Sequence, residues 1–68
     1  MDYRVHIHRP DAEGGRVVHV DGAILGRAFN ERDLREFLRR VELPGWEDLD
    51  LRDGLFKWEG PGPEAWEK

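Results

Sequence analysis

The feature that most constrains the fold is an Asp21-Gly22 pair set between two apolar runs, Arg16-Val17-Val18-His19-Val20 and Ala23-Ile24-Leu25. A two-residue hairpin loop of type I′ needs positive φ at both central positions, and Asp-Gly accommodates this readily. The chain is therefore expected to turn back here, with Ala23 opposite Val20 and Leu25 opposite Val18, in a third strand over 23–28. Upstream, residues 3–9 alternate apolar and polar at period two and read as another strand. The loop over 10–15 then sets Arg9 against Arg16, Ile7 against Val18, His6 against His19 and Val5 against Val20. A slip of one residue would pair histidines with valines and mix the faces, so the pattern selects this register. The expected core face carries Tyr3, Val5, Ile7, Val18, Val20, Ala23 and Leu25.

A helix follows. Asn30 has a side chain suited to cap the first turn, and Glu31 and Asp33 complement the positive helix end. Leu34, Phe37, Leu38 and Val41 form one apolar stripe, and Pro44-Gly45 ends the segment. Residues 55–59 read as a fourth strand, with Phe56 and Trp58 on one side and Asp53-Gly54 closing a hairpin from 49–51. The expected fold is α+β: a three-stranded antiparallel meander packed on one helix, with a short C-terminal strand, in the order β-β-β-α-β. One domain spans 1–60. Residues 61–68, opened by Gly60-Pro61-Gly62-Pro63, are expected to form a stiff open tail.

What is missing narrows the chemistry. The 68 residues include no Ser, Thr, Cys or Gln. Hydroxyl and thiol nucleophiles, disulfides, zinc–thiolate sites and iron–sulfur clusters are thereby excluded. No apolar run approaches the roughly 18–20 residues of a membrane span, and Met1-Asp2-Tyr3-Arg4 is not laid out as a signal peptide. A cytoplasmic address, with no membrane partner, is the expectation. The net charge is −4, and residues 41–68 hold eight acidic against three basic side chains. An acidic end repels phosphate backbones. Arg32, Arg35, Arg39 and Arg40 line the helix, but Glu31 and Glu36 stand four residues before Arg35 and Arg40. A solvated, ion-paired face is expected from that spacing, and no nucleic-acid partner.

Three histidines form the one constellation with ligand chemistry. In the register above His6 and His19 are cross-strand neighbours and His8 lies diagonally, all on the side away from the helix. Such a set can hold a divalent metal with one position open. A solvent-facing sheet side is the competing reading, and it is preferred: no metal and no cofactor is expected, with His6, His8 and His19 the candidate ligands should one bind. A calcium loop at Asp48-x-Asp50-x-x-Asp53-Gly54 fails, since Arg52 and Asp53 occupy the positions that need an oxygen ligand and a glycine.

Val17 and Ile24 share the histidine face. Apolar groups there call for cover, expected from Phe56 and Trp58, from the tail, or from a second subunit. Trp66 either folds back or is presented to a partner. Val17, Ile24, Trp58 and Trp66 are accordingly the expected interaction surface, serving a homodimer or another protein partner.

The stretch from Ile24-Leu25-Gly26 through Asp33-Leu34 and Phe37-Leu38-Arg39-Arg40, ending Trp58-x-Gly60-x-Gly62-Pro63-x-x-Trp66, resembles a group of short actinobacterial proteins from high-GC genomes. The resemblance covers the last two-thirds of the chain and implies no activity, ligand or site residue. The preferred expectation is a small, acidic, non-enzymatic accessory or protein-interaction domain. A histidine-based divalent-metal-binding protein is the alternative, and a nucleic-acid binder comes third.

Overall fold

The computed structural model describes residues 3–66. Met1 and Asp2 of the N-terminal reading, and Glu67 and Lys68 of the expected tail, lie outside that range. Strands β1 (Val5–Ile7), β2 (Arg16–Val20) and β3 (Ala23–Ala28) precede helix α1 (Glu31–Arg40) and strand β4 (Phe56–Trp58). They make an α+β fold with one helix and a four-stranded sheet in the order β3-β2-β1-β4.

The first hairpin pairs Val5 with Val20, His6 with His19 and Ile7 with Val18. Asp21 and Gly22 both take positive φ, 52° and 88°, as a type I′ turn requires. Val20 faces Ala23, but the second pairing then departs from expectation. A register shift between Val18 and His19 sets Gly26, not Leu25, opposite Val18. The cause lies above the sheet: a Cβ on Gly26 would stand 3.0 Å from Cζ of Phe37, and its φ is 146°. The bulge brings the one residue without a side chain under the helix's aromatic ring. Leu25 is partly buried and still packs against the core, whereas Ala23 keeps its pairing with Val20 but is exposed and is not the core residue expected.

Helix α1 starts where Asn30 Oδ1 accepts from the Asp33 N–H at 2.9 Å, while Asp33 Oδ2 accepts from the Phe29 N–H at 3.0 Å. It ends before Pro44-Gly45 is reached. The Leu43 N–H donates to Leu38 O and the Glu42 N–H to Arg39 O, with Glu42 at φ 56°, a Schellman closure that carries glutamate where glycine is usual. Val41 is therefore left exposed, and Leu43 takes its place in the core. Leu34 and Leu38 are fully buried against Val5, Ile7, Val18 and Val20, with Leu51 and Phe56 closing the same cluster. Each such leucine contributes about 1.5–3 kcal/mol of transfer free energy.

The last strand is where the expected topology changes most. No strand forms over 49–51, and β4 runs parallel to β1, pairing Val5 with Phe56 and Ile7 with Trp58. The sheet is thus mixed, with β1 interior. This register turns Phe56 and Trp58 toward the core beside Val5 and Ile7, and leaves Lys57 and Glu59 on the histidine side. The cover that Phe56 and Trp58 were expected to give that side is absent because they pack on the other face.

The tail is likewise not open. Trp66 packs edge-on against Trp58 with ring centroids 5.8 Å apart. Beneath them Arg16, with 0% of its surface exposed, donates from Nε to His8 O and from its two Nη atoms to the carbonyls of Glu59, Pro61, Gly62 and Ala65. All five guanidinium N–H groups are satisfied. Arg35, expected on a solvated helix face, holds the 46–49 loop through the carbonyls of Trp46 and Leu49 as well as pairing with Glu31.

Candidate functional site

The register of β1 and β2 brings His6, His8 and His19 together on the face away from the core. One ring nitrogen of each lies within 4.8 Å of the other two. His8 Nε2 and His19 Nδ1 share a hydrogen bond of 3.0 Å, and the rings of His6 and His8 stack with centroids 4.3 Å apart. Val5, Ile7, Val18 and Val20 underneath are buried, so a rigid hydrophobic layer holds the backbone that carries the histidines.

Glu59 supplies a carboxylate to this group. It follows β4 directly, and its N–H donates to Ile7 O at 2.9 Å. Its Oε2 accepts from His6 Nε2 at 2.8 Å. An ionised carboxylate only accepts, so the proton of a neutral His6 sits on Nε2 and the lone pair on Nδ1. That hydrogen bond holds the Glu59 carboxyl below its ordinary range, aided by the nearby charges of His6, His8 and Lys57. His8 is pushed below its ordinary value, first by burial and then by its neighbours His6 and His19. A neutral imidazole is the form that ligates a metal.

A cleft of about 540 Å³ opens over the histidines, lined also by Tyr3, Gly22 and the Arg4–Asp21 pair. Arg4 donates to both oxygens of Asp21, at 3.0 and 2.7 Å, and this bond lowers the Asp21 carboxyl. The pair is about half exposed and so adds little stability. Its role is to tie the start of β1 to the hairpin turn, an arrangement repeated in the backbone by Asp21 N–H to Arg4 O at 2.8 Å.

The residues of the expected interaction surface do not form one patch. Val17 is half-buried, and Ile24 pairs with His19 and is 67% exposed at the edge of the histidine face. Trp58 and Trp66 lie on the opposite side, packed against the core and 5.0 and 5.8 Å from the Arg16 guanidinium. Sequence reasoning brought the three histidines together and missed Glu59 and Arg16. The signal for Glu59 was the alternation Phe56, Lys57, Trp58, Glu59, which becomes informative once β4 is known to lie beside β1. Arg16 carried no local signal.

Comparison with protein-family models, with curated proteins and with solved structures finds no match. The chemistry of the site therefore rests on its own residues.

Proposed function

We propose that this chain is a binding domain for a divalent transition metal, with His6, His8 and His19 as the ligands. The observation that carries the reading is the convergence of three imidazoles on a rigid sheet face, each offering a nitrogen within 4.8 Å of the others. His8 Nε2 and His19 Nδ1 are joined by a 3.0 Å hydrogen bond, and a metal would displace the shared proton and need the two nitrogens to part only to the bite of about 3.3 Å on a tetrahedral zinc ion. Three imidazoles favour zinc, nickel or copper(II) over magnesium and calcium, which require oxygen donors. A site with three protein ligands leaves a position open toward the cleft, where water or a small anion completes the coordination.

Calorimetric titration tests this. Zinc and nickel should bind at one equivalent per chain, magnesium and calcium should give no heat, and His19→Ala should abolish binding. Wild-type protein that takes up no zinc at pH 7.5 would sink the reading. Ile24 supports a second one, the protein-interaction role, because a large aliphatic side chain stands exposed beside His19. If that surface is an interface between two copies, sedimentation will depend on concentration in the wild type and not in Ile24→Glu.

A further inference from the structure

Two parts of the molecule that face opposite sides of the sheet are joined through two residues. On the core side, four of the five carbonyls that cage Arg16 come from residues 59–65. The fifth is the carbonyl of His8, at 2.8 Å from Nε. On the other side, Glu59 holds His6 through its carboxylate while its own carbonyl accepts from Arg16 Nη2 at 2.9 Å. His8 and Glu59 therefore belong to the cage through their backbones and to the histidine cluster through their side chains.

Resting on the metal-binding reading above, we infer that Glu59 is a positioning residue of the site, and that metal binding and closure of the 59–66 segment over Arg16 reinforce each other. Two states of one element account for the coupling. With the segment closed, Glu59 stands where it fixes the proton of His6 on Nε2 and holds the ring. With the segment open, Arg16 loses four of its acceptors, the Glu59 carbonyl among them; Glu59 is then held only by its N–H to Ile7 O, and its carboxylate can leave His6 free to rotate. A carboxylate behind a ligating histidine raises its basicity and restricts its orientation. A metal that binds the closed state better must then favour closure, and closure must raise metal affinity by the same factor.

The test uses the full chain and zinc ions alone. Glu59→Ala should weaken zinc binding by about 10- to 100-fold, and Glu59→Gln should recover part of the loss, because its amide oxygen still accepts from His6. Trp66→Ala changes a residue on the far side of the sheet that touches Arg16 and Trp58. It should nevertheless weaken zinc binding about fivefold or more, the lower end of ordinary coupling between sites. In the wild type, zinc should slow hydrogen exchange of the Ala65 amide, which donates to Gly62 O inside the closed segment. That measurement decides the matter even if Trp66→Ala does not fold. Zinc bound tightly by wild type and by all three variants, with Ala65 exchange unchanged, would overturn the coupling and leave the metal site standing. No zinc bound by wild type would overturn both.

Discussion

Arg16→Lys is the substitution whose consequence can be worked most directly from the structure. The guanidinium is fully buried and gives its five N–H groups to five carbonyl oxygens at 2.8–3.1 Å. A lysine has three N–H groups on one nitrogen, so at least two carbonyls lose their partner. An unsatisfied buried acceptor costs about 1–3 kcal/mol, and the cation–π contact of the guanidinium with Trp58 and Trp66 is weakened as well. Part of that cost is relieved because residues 60–66 can swing out and let water reach their carbonyls. The expected loss is about 2–4 kcal/mol, most of the roughly 3–5 kcal/mol that a core of this size supplies. Urea denaturation followed by tryptophan fluorescence measures it. A lowered midpoint with a smaller dependence on denaturant would mean that the segment detaches first, and a lowered midpoint alone that the whole domain fails together. A variant within about 0.5 kcal/mol of wild type, inside the ordinary scatter of surface substitutions, would refute the assignment of Arg16 as the residue that closes the chain.

Glu42→Gly should raise stability by about 0.5–1 kcal/mol, since glycine adopts the left-handed conformation of Glu42 without the clash a Cβ imposes; a lower melting temperature would contradict the closure described for α1. Gly26→Ala should cost about 1–3 kcal/mol, because the new methyl meets Phe37 at 3.0 Å in a backbone conformation that L-residues rarely adopt, and unchanged thermal unfolding would refute this. Leu38→Ala should cost about 2–5 kcal/mol in the same assay, as expected for an emptied site at the centre of the core. The pH dependence follows from His8, whose folded pKa is depressed. Its contribution is intact above the ordinary value of 6.5 and is lost as pH falls through the folded value, so stability should decline on acidification below about pH 6.5 and His8→Ala should flatten that decline. Glu59 acts in the same direction further down, below its ordinary 4.5. Zinc affinity should fall over the first of these windows, since protons and metal compete for the same imidazole nitrogens.

The parts of this protein that were legible in the amino-acid sequence are those decided within a few residues of each other. Positive φ at Asp21 and Gly22 is a local steric matter that turns β3 back onto β2, and period-two alternation on either side of the 10–15 loop places His6 opposite His19. Asn30 caps its own helix, and the stripe through Leu34 and Leu38 is a property of one turn repeated. The histidine cluster followed because His6 and His8 lie on or just after β1 and His19 on β2, the two strands that the 10–15 loop joins. What lay beyond local reasoning depends on which distant surfaces meet. The edge of β1 could have been filled by any strand or by water, and only packing of the whole chain brought β4 there, parallel and with Phe56 and Trp58 inward. The bulge at Gly26 answers to Phe37 on the helix, and the early helix end answers to the burial of Leu43. Glu59 reaches His6 across 53 positions, and Arg16 gathers carbonyls as far as 49 positions away. Local patterns carry turn, register and cap because sterics and nearby hydrogen bonds act over a turn or a strand pair. A buried guanidinium instead needs acceptors from wherever the folded chain can supply them, and that choice belongs to the tertiary structure.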